Sequence, residues 1–489
     1  MRANANGPAS GGQDWTLAKM QGIQSYGAYV PFNRIQRKTI AEALQVRAGK
    51  GDRAVAGYDE DAATMAVEAS RAALANENPE SIAALAFATT SQPYQEKLNA
   101  STIHAALSLE PSVRASDTTG SARAGLSALI AASRSNDTTL VSMADIRQGA
   151  PEGGAEQAGG DAAAAFVIGE GDAIAEVLAT YSETLEHQAS WRLPGEDFSK
   201  TWEERFSLQN VYIPLLSSAI EGLMDAAGTD IGGVTTFILD SPNPRAAAAV
   251  TKSARLSPDS SGDPLLESVG HAGAAHAGLR LSAALDTAEP GDIIAVISAS
   301  DGVEGILLRV SDAITSNRAP ASVEDLIAAK RNDLSYTRFL KWRGILPTER
   351  PRRPDPNRPA GPPAFRRRKW KFGFMGSECT NCGARHLPPQ DVCVSCGTQN
   401  AMKDIPFANR MGKVATFTLD RLAYTLQPPM VSTIIDFEGG GRVELEITDC
   451  DPETVAIGDE VEMTFRRLFT ADGVHNYFWK ARPARKSAD

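Results

Sequence analysis

Glu378-Cys379-Thr380-Asn381-Cys382-Gly383 and Val392-Cys393-Val394-Ser395-Cys396-Gly397 repeat one device. Each Cys-x-x-Cys knuckle holds two thiolates on a tight turn, with a Gly after the second Cys. The sulfurs of Cys379, Cys382, Cys393 and Cys396 can therefore converge on one tetrahedral zinc. A shell made only of thiolates leaves no open coordination position, so the expected ion is structural. It staples a module too small to fold on core burial alone.

Downstream of the knuckles the pattern changes period. Val414 to Thr418, Met430 to Ile435, Arg442 to Ile447, Glu460 to Phe465 and Tyr477 to Lys480 read as five short strands separated by Gly, Pro and Asp turns. Five strands of this size suit a small closed barrel of the OB type. Aromatics on them (Phe417, Phe465, Tyr477, Trp479) allow a nucleic-acid reading. Glu438, Glu444, Glu446 and Glu462, on or beside the same strands, speak against it.

Upstream lies a Pro/Arg-rich stretch, Leu346 to Lys371, expected to run extended. Its Arg366-Arg367-Arg368-Lys369 run allows a nucleic-acid arm, while the plainer expectation is a basic linker lying on the acidic α/β domain or on the phosphates of a ligand. Ser322 to Arg343 reads as one amphipathic helix. From about residue 20 to 310 the chain is Ala- and Gly-rich, with short apolar strands alternating with helices (Asp59 to Leu74, Ser101 to Leu109, Ser121 to Ser133). This alternation predicts a layered α/β domain with parallel strands covered on both faces. Gly160-Asp161 and Gly291-Asp292 each lead into an apolar strand, a faint echo of a duplicated unit.

The 489 residues allow two to four domains, with 42% hydrophobic and 22% charged residues as in an ordinary globular protein. A net charge of -11 argues against whole-chain affinity for nucleic acid or anionic membrane. With four cysteines on zinc only Cys450 remains, so no disulfide framework is available and a reducing cytosol is expected. The polar N-terminus lacks a signal-peptide core and is expected to be disordered. No apolar run is long enough to span a bilayer.

The first domain resembles the thiolase superfamily, in its 3-hydroxy-3-methylglutaryl-CoA synthase and ketoacyl-ACP synthase III branch. The likeness rests on Ser25 to Pro31, Tyr58-Asp59-Glu60-Asp61 with Thr64 to Glu68, Arg123-Ala124-Gly125, Trp191-Arg192 with Pro194-Gly195-Glu196, and Ala288 to Asp292. The C-terminal part resembles the rubredoxin-type zinc ribbon plus OB-fold family that accompanies acyl-CoA thiolases and synthases. There the likeness rests on Tyr336, Trp342-Arg343-Gly344, the four cysteines, Glu438-Gly439-Gly440 and Asn476 to Lys480. The resemblance implies an α/β class: a duplicated thiolase-like fold (residues 20–312, halves about 20–170 and 171–312), a helix and linker (313–371), a zinc ribbon (372–403) and an all-β OB barrel (404–489), after a disordered segment at 1–19. It also implies a pantetheine channel for a CoA thioester or acyl carrier, a homodimer or a complex with a thiolase-like partner, and Trp191 and Arg192 beside the CoA entrance.

At the site the resemblance breaks. The family's nucleophilic Cys falls on Ala122, and no cysteine lies between residues 1 and 378. Asp240 replaces the family's His, His271 its Asn, and the acid/base Glu falls near Thr90. Asp240 with His271 and His276 can form a general acid/base set, because a carboxylate poises an imidazole near neutrality. Backbone N–H groups at 121–125 could hold a thioester oxyanion. This permits aldol, retro-aldol or Claisen-type chemistry without an acyl-enzyme, by an acyltransferase or a C–C lyase or synthase. Ser121 is a second candidate nucleophile, with His271 or His276 as its base; the plainer reading has Ser121 cap its helix. His104, His187, His386 and His475 read as structural or surface residues. The alternative for the whole chain is a non-catalytic CoA-binding scaffold docking an active thiolase-like partner.

Overall fold

The computed structural model describes residues 20–349, 352, 354 and 356–485. The expected disorder of residues 1–19 lies outside them. No helix among the described residues is long and apolar enough to cross a membrane.

Nine strands form the central sheet. In chain order they are β1 (Gly22–Tyr29), β2 (Ala84–Thr89), β3 (Arg114–Thr119), β4 (Thr139–Asp145), β5 (Ala162–Gly169), β6 (Ala175–Thr184), β7 (Thr236–Asp240), β8 (Ile293–Ser300) and β9 (Gly302–Val310). Their spatial order is β7-β8-β9-β6-β1-β5-β4-β2-β3. The sheet is mixed: β2 runs parallel to β3 and β4, and β7 parallel to β8, while β1, β5, β6 and β9 pair antiparallel. The halves meet where β1 touches β6. Counted outward from that seam, β5 matches β9 and β4 matches β8. The Gly-Asp echo therefore joins β5 to β8, which are not equivalent strands. The duplication is carried by topology, and that sequence echo is incidental to it.

The longer helices that pack on this sheet are α1 (Ala62–Ala73), α2 (Ala124–Ser133), α3 (Ile213–Ala227), α4 (Pro244–Ser253) and α5 (His276–Thr287). Asp61 caps α1 through a reciprocal box with Thr64. Small Ala and Ser side chains let α1 be buried all round, as expected for a helix gripped between two layers. One layer is the sheet. The other is a closed barrel of β10 (Gly412–Asp420), β11 (Met430–Phe437), β12 (Arg442–Ile447), β13 (Glu460–Ala471) and β14 (Val474–Pro483).

The barrel is fused to the α/β domain by one core, which runs from Met65 and Ala69 through Phe374 and Phe407 to Phe465 and Trp479. Buried ion pairs rim that core. Arg466 bonds Glu60 and, at 2.5 Å, Asp449; Lys480 meets Asp59 at 2.8 Å and Glu446 at 2.9 Å; Arg482 meets Glu68 at 2.9 Å. The acidic run Asp59-Glu60-Asp61 thus grips the barrel, with Tyr477 donating to Asp61 at 2.7 Å. Phe465, Tyr477 and Trp479 point into the core and offer bases no stacking face.

Three expectations need correction. Ser322 to Arg343 is broken into Val323–Ala328 and Tyr336–Trp342. Between them Arg331 exchanges backbone hydrogen bonds with Phe32 and Arg34, which takes that segment out of the helical path. The Pro/Arg-rich stretch is not wholly extended either: Gly361–Arg366 and Arg368–Lys371 are short helices. Pro362 and Pro363 occupy the first turn, where a missing N–H costs nothing. The basic run lies on the C-terminal modules, not on the α/β domain. Lys369 pairs with Asp404 at 2.5 Å, and Trp370 packs on Phe374 and Phe478.

Candidate functional site

The parallel strands of both halves deliver their C-terminal ends to one region, the usual location of a site in an α/β sheet. Asp240 ends β7 and stands in register with Ser298 of β8. Ser298 donates to one Asp240 carboxylate oxygen at 2.7 Å, and the Nε2–H of His271 donates to the other at 2.9 Å. Asp240 is 3% exposed. Burial alone would raise its pKa; His271, His276 and Ser298 outweigh burial and hold it below the usual carboxylate range.

The His271 backbone is locked. Its N–H donates to the Ala158 carbonyl at 2.9 Å, and its own carbonyl accepts from Gly160 at 3.1 Å. Gly270 before it has φ +98°, and a Cβ there would stand 2.4 Å from the Gly159 carbonyl oxygen. Only glycine fits. The Nδ1 of His271 accepts from the Gly273 N–H at 3.2 Å, which fixes the Nε2–H tautomer. Burial, then the neighbouring His276, lowers the His271 pKa; Asp240 opposes this without reversing it.

His276, the fully buried first residue of α5, stacks on His271 with ring centroids 4.4 Å apart. It repeats the same pattern: Nδ1 accepts from Ala272 at 3.2 Å and Nε2–H donates to Asp263 at 2.8 Å. Two Asp–His pairs therefore lie face to face. The ligand atoms of Asp240, His271 and His276 fall within 4.8 Å of one another, close enough for a metal ion. Their tautomers suit a proton-holding role instead, because the lone pairs that a cation would need face backbone amides.

His271 borders two cavities. One, of about 300 Å³, also collects Thr90, Ser121, Ala122, Trp191 and Arg192. The other, of about 530 Å³, collects Asp240, Ser241 and Asp263. In the first, Arg192 donates to the Thr90 carbonyl at 3.0 Å, and Trp191 lies on a two-residue strand paired with Lys200–Thr201. Ala122 sits in the turn that leads into α2. Ser121 caps nothing, since α2 begins at Ala124 after Arg123. Its buried hydroxyl has no hydrogen-bond partner and is not bonded to either histidine. Thr90 is fully engaged: it donates to Asp145 at 2.7 Å and accepts from Arg147 at 3.0 Å. His104, His187, His386 and His475 lie outside this cluster.

Three site residues escaped the sequence reading. Ser298 lies near the end of β8 and Asp145 ends β4, polar residues in largely apolar strands and so a signal legible in the sequence. Asp145, completely buried, ties Thr89, Thr90 and Ser91 to the Ala274 N–H (2.7 Å) beside His271. Asp263 sits in an irregular loop with no such signal.

In the ribbon, Cys379 and Cys396 sulfurs lie 3.7 Å apart and Cys382 and Cys393 sulfurs 3.5 Å, all four within 4.8 Å. Zn–S bonds of about 2.3 Å in a tetrahedron require sulfurs about 3.8 Å apart. The donor set fits.

Comparison with known proteins gives matches for the ribbon, for most of the barrel and for two thirds of the chain. Residues 373–400 match the ChsH2 rubredoxin-like zinc ribbon domain and residues 407–466 the ChsH2 C-terminal OB-fold domain. The chain is 32% identical over 341 residues to the hydroxymethylglutaryl-CoA synthase of Archaeoglobus fulgidus, covering 66% of this chain and 98% of that protein. It is likewise 32% identical over 346 residues to that of Aeropyrum pernix, covering 66% and 94%. Among solved structures, an HMG-CoA synthase complexed with CoA superposes with TM-score 0.57 at 18% identity, over 66% of this chain and 90% of that one. The curacin-pathway HMG synthase in complex with apo donor-ACP gives 0.59 at 17%, over 67% and 88%. The 3-oxoacyl-[acyl-carrier-protein] synthase III of Aquifex aeolicus gives 0.52 at 20%, over 59% and 99%.

Proposed function

The chain belongs to the hydroxymethylglutaryl-CoA synthase family, and on that premise we propose that it forms or cleaves a C–C bond in a CoA thioester without an acyl-enzyme. The observation that carries this is the buried 2.9 Å Asp240–His271 pair, whose His271 borders the cavity that Ala122 lines and whose two residues both line the second cavity. Ala122 has no nucleophilic atom, so the thioester stays intact through the reaction.

In the cleavage direction, the thioester enters the cavity lined by Trp191 and Arg192, its carbonyl near the 121–125 turn. Asp240, held ionised and oriented by His271 and Ser298, accepts the proton of a β-hydroxyl. The Cα–Cβ bond breaks, its electron pair moves onto the thioester carbonyl as an enolate, and a ketone or aldehyde leaves. Protonation at Cα then releases a shortened acyl-CoA. Backbone N–H groups of the turn stabilise the enolate oxygen. The condensation is the same path reversed. His276 and Asp263 back the His271 ring. In this reading the four ribbon cysteines hold a zinc ion that supplies structure alone, and the protein is a homodimer.

A second reading, a non-catalytic CoA-binding scaffold for an active thiolase-like partner, is favoured by the engagement of both His271 nitrogens. One experiment separates the two. A panel of β-hydroxyacyl- and β-ketoacyl-CoA esters is incubated with wild type, Asp240→Asn and His271→Ala, and products are read by mass spectrometry. Turnover lost by about 10²-fold or more in Asp240→Asn supports the enzyme. Binding of the esters with no turnover in wild type sinks it.

A further inference from the structure

The 530 Å³ chamber takes no part in holding the thioester in the proposed reaction, yet it is the larger of the two that His271 borders. Its walls are apolar, built from Leu239, Ala247, Leu256 and Leu266. Its charged end is Asp240 and Asp263, with His271 between the chambers: Asp240 is bonded by His271 and Ser298, and Asp263 by His276. Its mouth carries Lys252 and Arg255, both exposed. Among the described residues neither side chain has a hydrogen-bonded or ionic partner.

The backbone adds an independent observation. Helix α4 ends with Leu256 N–H bonded to the Thr251 carbonyl at 2.9 Å, and Arg255 holds the left-handed conformation at φ 56°. That position after a helix belongs to glycine, and any other L-residue is strained there. Arg255 is one of nine non-glycine residues with positive φ among the described residues, and its side chain lines the chamber. Lys252, on the last turn of α4, lines the same chamber.

We propose that this chamber receives the acyl tail of the substrate, and that Lys252 and Arg255 select a tail ending in a carboxylate. The inference rests on the acyl-CoA reading. The thioester lies on the Ala122 side of His271, the reacting carbons lie against Asp240, and the apolar tail fills the chamber. The terminal carboxylate then reaches the two cations, Arg255 offering a two-pronged contact.

The test uses the full chain and three probes in titration calorimetry: dodecanoyl-CoA, the mono-CoA thioester of dodecanedioic acid, and free dodecanedioate. The diacid thioester is expected to bind about tenfold or more tightly than dodecanoyl-CoA, the effect of one charge-assisted contact. Lys252→Ala/Arg255→Ala erases that preference, and Ala247→Phe weakens both long thioesters while leaving acetyl-CoA binding unchanged. Arg255→Gly loses selectivity without lowering the melting temperature, which separates the role of the side chain from folding. Equal affinities in wild type, or a preference that survives the double substitution, overturns the proposal. If no CoA ester binds, the acyl-CoA reading falls, and free dodecanedioate decides the chamber alone. Binding that the double substitution abolishes upholds the selection of the carboxylate tail; absence of binding ends it.

Discussion

Replacing Arg466 by Met should unfasten the barrel from the α/β domain. The Arg466 side chain is fully buried, and so is that of Glu60, its partner across the interface; Asp449, its partner within the barrel, is 6% exposed. Tyr29 also donates to Glu60 at 2.5 Å. Met fills similar volume, so the loss is electrostatic: two carboxylates remain buried with no cation. Removing one member of such a group costs about 3–5 kcal/mol. Burial already holds the Glu60 pKa above its ordinary 4.5, so the folded state binds more protons than the unfolded one just above that value. Without the guanidinium this bias grows. Stability of the variant should therefore fall as pH rises through that window and recover on acidification from pH 7 toward 5. Urea denaturation followed by tryptophan fluorescence measures this, because Trp479 and Trp370 sit in the shared core. Glu60→Gln added to Arg466→Met should restore part of the loss. A variant whose midpoint overlays wild type would refute the shared-core argument. So would a barrel that melts apart from the sheet in the unaltered protein.

Three further outcomes are expected. His271 is held neutral in the folded chain, while its unfolded form titrates near 6.5, so the unfolded state takes up the extra proton and stability drops as pH falls below that value; His271→Asn should flatten the slope of the denaturation midpoint between pH 7.5 and 5.5. Gly125→Ala places a Cβ 2.1 Å from the Ala274 carbonyl oxygen and 2.9 Å from the Met143 sulfur, and should cost about 1–3 kcal/mol in thermal unfolding while disturbing the His271 loop. Elemental analysis should find one zinc per chain, lost in Cys393→Ser together with part of the melting temperature, since the ribbon's Cys379 and Cys393 are buried beside the common core.

The local features were legible without coordinates. Doubled Cys-x-x-Cys spacing dictates a four-sulfur cluster because two knuckles can meet at one ion. Alternating apolar residues after Gly412 dictate barrel strands because a small barrel buries every second side chain. The absence of any cysteine before Cys379 is likewise a fact of composition.

Long-range pairing was decided by the fold alone. Nothing near Asp240 in the chain announces that Ser298, 58 residues away, would register beside it, or that Asp263 would complete a second Asp–His pair under the first. The acidic run at Asp59 to Asp61 reads as an ordinary helix start; the arginines and lysine that neutralise it come some 400 residues later. Backbone hydrogen bonds between Arg331 and the 32–34 segment override helical periodicity for the same reason. A sequence specifies local geometry through steric and hydrogen-bond preferences of neighbours. Which distant charges meet, and which cavity a histidine faces, follows only from how the layers close on one another.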